Sequence, residues 1–153
     1  MTLNDVKDIL DAEVIVGRDQ LGKEIKTAFS ADLMSDVLAF AKTESLLLTG
    51  LTNPQVVRTA DILDISAIIM VRGKRPSEET VKLAEQLKIP ILSTKYILFE
   101  TSGRLHRSGI VGGQRGDESL AGRMKPRHGV AGRFADDCAE RFRRRRRNTV
   151  DCP

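Results

Sequence analysis

Three short apolar runs constrain the fold of this chain more than any other feature: Leu46-Leu47-Leu48, Ala67-Ile68-Ile69-Met70-Val71 and Ile89-Pro90-Ile91-Leu92. Each is aliphatic without a polar interruption, the pattern of a strand covered on both faces. Each is followed by turn residues and then by apolar positions at helical spacing. After the first run, Thr49-Gly50-Leu51-Thr52-Asn53 is a turn and Pro54 suits a first helical position, where its missing N–H is not needed. That helix carries Val56, Val57, Ala60 and Leu63. After the second run, Arg72-Gly73-Lys74-Arg75-Pro76 closes the strand and Ser77 caps a helix carrying Val81, Ala84 and Leu87. After the third, a last helix is expected from Lys95 to about Leu105. Strands alternating with amphipathic helices predict a three-layer α/β/α fold with a mostly parallel sheet and right-handed crossovers.

The segment before these runs is less regular. A first helix is expected on Leu3, Val6, Ile9 and Leu10, capped by Asn4 or Thr2. Val14-Ile15-Val16 before Gly17 reads as a strand, and Ile25 to Phe29 as another. Asp32 is expected to cap the next helix, which carries Leu33, Met34, Val37, Leu38, Phe40 and Ala41. Phe40 lies off the face set by Leu33 and Val37, so the apolar stripe is wider than a single core contact requires, and a homodimer is expected through it. With aromatics at only 4% of the chain, aliphatic side chains must fill the core.

Charge divides the chain near Val111. Residues 1–111 carry 14 Lys+Arg against 15 Asp+Glu, whereas residues 112–153 carry 11 against 6. The basic balance therefore belongs to the C-terminal segment, and the first part has no electrostatic footprint for nucleic acid. Beyond Val111 branched aliphatics nearly vanish and Arg replaces Lys. Residues 112–153 are expected to be a disordered basic tail, either native or the product of a frameshift, with a frayed helix near Phe134–Arg147. The run Arg143-Arg144-Arg145-Arg146-Arg147 reads as a solvated tract or as a contact for nucleic-acid phosphates. Cys138 and Cys152 match no metal-ligand spacing. No apolar run approaches the roughly 18 residues of a membrane helix, and the N-terminus lacks a leader pattern, so a cytoplasmic protein is expected.

Candidate ligand-binding residues lie in the loops after the three apolar runs. Thr49, Gly50, Thr52 and Asn53 follow the first, Arg72 and Lys74 the second, and Ser93, Thr94 and Lys95 the third. Ligands of parallel α/β sheets bind outside the carboxyl ends of strands, and backbone N–H groups at a helix start suit an anion. A basic, hydroxyl-bearing rim fits a nucleotide or another phosphorylated metabolite, although turn and cap chemistry also accounts for each loop. The Gly-Lys-Ser/Thr ending of a phosphate-binding P-loop is missing. Asp32, Ser35 and Asp36 offer carboxylates for a metal or an acid–base pair, against the simpler reading of Asp32 as a cap. His106 reads as a surface residue on the last helix. No nucleophile–base pair or metal cluster can be assigned, so neither a catalytic residue nor a cofactor is expected.

The ordered set Asp32-Leu33-Met34-Ser35-Asp36-Val37-Leu38-Ala39-Phe40, Leu48-Thr49-Gly50-Leu51-Thr52-Asn53-Pro54-Gln55-Val56, Val71-Arg72-Gly73-Lys74-Arg75-Pro76, Ile89-Pro90-Ile91-Leu92-Ser93-Thr94-Lys95-Tyr96 and Leu98-Phe99-Glu100 resembles the stand-alone DRTGG-domain proteins of anaerobic bacteria. The five-residue string that names that family is absent; the nearest local features are Thr49-Gly50 and Arg72-Gly73. The resemblance implies a fold similar to the N-terminal domain of HPr kinase. It also implies the regulatory or assembly role that such domains have inside phosphate acetyltransferases and CBS-domain pyrophosphatases. The expected function is thus a non-catalytic module that dimerises or docks a partner enzyme and senses a phosphorylated small molecule. The alternatives are a small enzyme acting on a phosphorylated substrate, or an RNA-associated protein acting through its Arg-rich tail. Residues 1–111 are expected to fold without the rest; a fragment of that length with no cooperative unfolding transition in urea would overturn the boundary.

Overall fold

The computed structural model describes residues 1–115. They form a six-stranded sheet in the order β1-β5-β4-β3-β2-β6. The strands are β1 (Glu13–Val16), β2 (Thr27–Ser30), β3 (Leu46–Thr49), β4 (Ala67–Met70), β5 (Ile91–Ser93) and β6 (Val111–Gly112). All pairings are parallel except β1 with β5. The three strands expected from the apolar runs are therefore adjacent, and their carboxyl ends share one edge of the fold.

Helices cover both faces. Leu47, Ile68, Met70 and Ile91 point to one core with α2 (Met34–Phe40), α3 (Pro54–Ile62) and α4 (Glu78–Gln86). Leu46, Leu48, Ile69 and Leu92 point to the other, with α1 (Leu3–Ile9) and α5 (Leu98–Arg107). Strand residues alternate faces, so apolar runs without a polar gap supply both cores at once. The result is the expected three-layer α/β/α fold with a mostly parallel sheet.

Local chemistry sets the helix ends. Thr2, not Asn4, caps α1 in a reciprocal capping box with Asp5, and Ser77 Oγ accepts from the Thr80 N–H at the start of α4. Four helices end alike, with a left-handed residue followed by a buried one whose N–H reaches back five residues. The bonds are Ala12 N–H to Lys7 O, Ile65 to Ala60, Ile89 to Ala84 and Ile110 to Leu105. The left-handed positions are Asp11, Asp64, Lys88 and Gly109, only one of them a glycine. This ending explains why β5 starts at Ile91: Ile89 is still engaged in closing α4. The last helix also starts later than expected, at Leu98, because Thr94–Tyr96 form the exit loop of β5.

Three features depart from the sequence expectation. Asp32 does not cap α2; Leu33 holds that position, and the Asp32 side chain bonds elsewhere. Strand β1 carries a bulge at Ile15, which places Val14 and Val16 in opposite cores. The sheet also runs past the expected boundary at Val111. Gly112 pairs with Ala28, Gln114 bridges Ala41, and the Arg115 N–H donates to the Phe40 carbonyl. The rest of the expected tail, with the Phe134–Arg147 helix, the arginine run, Cys138 and Cys152, lies outside the described residues. Among the described residues, no helix is long and apolar enough to cross a membrane.

Two backbone positions give changes of opposite sign. Gly17 has φ +86°, and a Cβ there would come within 2.9 Å of the Pro90 Cα. Gly17→Ala should lower stability by about 2 kcal/mol or more, from left-handed strain and the clash with Pro90. Lys88, with φ +55°, is exposed, so Lys88→Gly should raise stability by up to about 1 kcal/mol. Equilibrium urea unfolding of the two variants beside the parent chain checks both signs.

Candidate functional site

The parallel order brings the exits of β2, β3, β4 and β5 to one rim. At its centre is Gly50, buried at the end of β3. The Gly50 N–H donates to Asp32 Oδ1 at 2.6 Å, and the Thr49 hydroxyl donates to the same oxygen at 2.9 Å. The exit of β2 is thus tied to the exit of β3 by one carboxylate. Lys74 Nζ donates to the Gly50 carbonyl at 2.9 Å. A side-chain carbon at residue 50 would meet the Arg72 guanidinium on one side and Asp32 Oδ2 at 3.3 Å on the other. Glycine leaves room here for the tips of two flexible side chains, and no left-handed backbone is involved.

Arg72 reaches this position through a strained turn. Arg72 and Gly73 both have φ +63°, and the Lys74 N–H closes the turn on the Val71 carbonyl at 3.3 Å. The Arg72 N–H donates to Tyr96 O and the Gly73 N–H to Thr94 O, each at 2.8 Å, so the turn is fastened to the exit of β5. A left-handed arginine costs of order 1 kcal/mol and persists only where the surroundings hold it. Unlike Asp11, Asp64 and Lys88, this one closes no helix. It places a cation above Gly50.

The other expected residues have different duties. The Ser93 hydroxyl donates to the Lys74 carbonyl and the Thr94 hydroxyl to the Leu10 carbonyl, each at 2.7 Å, and both residues are buried. Lys95 turns toward Asp11, 2.7 Å away, and that carboxylate holds its ammonium above the usual lysine range. The Thr52 carbonyl accepts from Thr80. Asn53 is exposed at the N-cap of α3 and makes no side-chain capping bond. Gly50, Arg72 and Lys74 therefore converge, while Ser93, Thr94 and Lys95 brace the surrounding loops. Ser35, Asp36 and His106 are exposed and stand apart from this centre. Among the described residues there is no group of three or more His, Cys, Asp or Glu that could hold a metal ion. Asp32 is the residue whose place sequence reasoning missed: its partner lies 18 positions away, and only the adjacency of β2 and β3 brings them together.

The Gly50 N–H bonds the Asp32 carboxylate directly, and the Arg72 and Lys74 charges act on it from beyond ion-pair distance, so the rim favours an anion. The Gly50 N–H holds the Asp32 carboxyl below the usual carboxylate range; desolvation opposes this, and Thr49, Arg72 and Lys74 add to it. A carboxyl lowered on folding contributes stability that is complete above its unfolded value of about 3.9 and is lost as pH falls through the folded value. Asp32→Asn should therefore cost about 1 kcal/mol near neutral pH, the exposed side of the carboxylate keeping the figure small. The gap from the parent chain should narrow as acidification carries the chain below the ordinary carboxylate range and protonates Asp32. Urea unfolding in both pH ranges measures it.

Comparison with known proteins agrees with the fold. The sequence profile of the DRTGG domain matches residues 5–108. The uncharacterized protein YtoI of Bacillus subtilis (strain 168) is 26% identical over 110 residues, covering 71% of this chain and 24% of that protein. A crystal structure of the CBS and DRTGG domains of the regulatory region of Clostridium perfringens pyrophosphatase, complexed with the activator diadenosine tetraphosphate, matches with a TM-score of 0.59. The match is 20% identical and covers 71% of this chain and 47% of that one. The chain thus spans less than half of each of these two proteins. The profile match takes in most of the described residues, and by it the chain belongs to the DRTGG domain family.

Proposed function

We propose that this domain is a cytoplasmic regulatory module that senses a nucleotide or another phosphorylated small molecule at the Gly50–Arg72–Lys74 rim. The observation that carries this reading is the convergence of two cations and a strand-end N–H on one point. The family supports a regulatory role, and the pyrophosphatase region of similar fold was crystallised with a nucleotide activator. The bound state is passed on through protein contact, with a second copy or a partner enzyme. The surface offered for that contact is α2 and its N-cap, where Leu33 is 61% exposed and Phe40 48%. Large apolar side chains at such exposure favour association when a partner covers them.

Calorimetric titration of the whole chain with ATP, AMP and diadenosine tetraphosphate tests the reading. Binding of at least one nucleotide is expected, and Arg72→Gln and Lys74→Gln should each weaken it about tenfold, the usual loss of a charge-assisted hydrogen bond. Binding that neither substitution changes would place the ligand elsewhere.

A further inference from the structure

Asp32 occupies the donors that an anion at this rim would use. Its Oδ1 takes both the Gly50 N–H and the Thr49 hydroxyl, and Arg72 and Lys74 lie within electrostatic reach of it. A phosphoryl oxygen seeks the same donors, and one N–H cannot serve both oxygens at full strength. Two anions drawn to the same donor repel each other, and more strongly at a partly buried site than in water. A ligand phosphate and the Asp32 carboxylate therefore exclude one another.

The segment that carries Asp32 is held lightly. Upstream, the Ala31 N–H is fixed to the Leu48 carbonyl at the end of the sheet. Downstream, α2 has seven residues, its N-cap Leu33 makes no side-chain bond, and its buried residue is Val37. Between these anchors Asp32 and Leu33 are both exposed, and the Gly50 and Thr49 bonds are the side-chain ties of this stretch.

We propose that Asp32 is the resident anion of the rim: a phosphoryl group binds by taking the Gly50 N–H from the Asp32 carboxylate, and the freed carboxylate carries Leu33 and the first turn of α2 to a new position. The proposal rests on the rim being the phosphate site. It supplies what that reading lacks, a physical route from ligand to the apolar surface of α2. The ligand-free domain keeps its cations partly neutralised, and ligand affinity is lowered by the fraction of molecules in which Asp32 is engaged.

The test is ATP titration of the full chain and of its Asp32→Asn, Asp32→Ala and Arg72→Gln variants by calorimetry, with amide NMR of Leu33 to Asp36. Asp32→Asn is expected to bind ATP about tenfold more tightly, through removal of one competing charge. ATP should also move the Leu33 and Met34 amides of the parent chain, toward their positions in the unliganded Ala variant, which has no acceptor for the Gly50 N–H. ATP bound by the Asn variant and not measurably by the parent chain supports the proposal equally. Asp32→Asn keeps the size and acceptor oxygen of the side chain, so it decides the matter if Asp32→Ala does not fold. Equal or weaker binding by both Asp32 variants, with Arg72→Gln still weakening it, overturns the displacement and leaves the rim as the site. Binding indifferent to Arg72→Gln, or seen in none of the four proteins, overturns the rim and the displacement together.

Discussion

Burial of β3 and β4 on both faces is the constraint on which the rest depends. Leu46, Leu47, Leu48, Ile68, Ile69 and Met70 are all within 1% of complete burial. A strand with no solvent face must have helices above and below it, and the links between parallel neighbours must cross over those faces. Parallel order then places the exits of four strands along one edge. The meeting of Asp32, Gly50, Arg72 and Lys74 follows from that order: they come from three neighbouring strand exits, Asp32 after β2, Gly50 after β3, and Arg72 and Lys74 from the one turn after β4.

Elements whose signals are local were legible in the sequence. The apolar runs, Pro54 at the start of α3 and the Ser77 cap each act within one turn of chain. What was not legible depends on partners far along the chain. Asp32 has good credentials as a cap, but the neighbouring strand offers a buried N–H that outbids the helix start. Ser93 and Thr94 look like rim hydroxyls, yet their strand end is buried, and there a hydroxyl must find a carbonyl. Two-residue β6 carries no periodicity at all; Val111 is itself 55% exposed, and backbone pairing alone defines the strand. The bulge in β1 is similarly silent, since Val-Ile-Val reads the same with or without it.

Four of the five left-handed non-glycine residues serve a helix end or the rim; Glu44, just before β3, serves neither. At Asp11, Asp64 and Lys88 an unfavourable backbone is exchanged for a closed helix end and a buried aliphatic residue beyond it. At Arg72 the return is a guanidinium aimed at a glycine, fastened by two hydrogen bonds to the next loop. The β5 exit is in turn tied to α1 through the Thr94 hydroxyl and the Leu10 carbonyl. The rim is thus anchored firmly on its β4–β5 side and loosely on its β2 side, so any motion it allows is biased toward α2.

The position of β6 has a bearing on synthesis. β2 is made early, but one of its two neighbours in the sheet is made after every other strand and helix of the described residues. During translation the first strands can assemble while one flank of β2 still presents bare N–H and C=O groups. Such a flank is a template for pairing with another nascent chain, and only the arrival of Val111 and Gly112 covers part of it. The shortest strand of the sheet is therefore the last to be available for pairing, and the β2 edge stays open until it is.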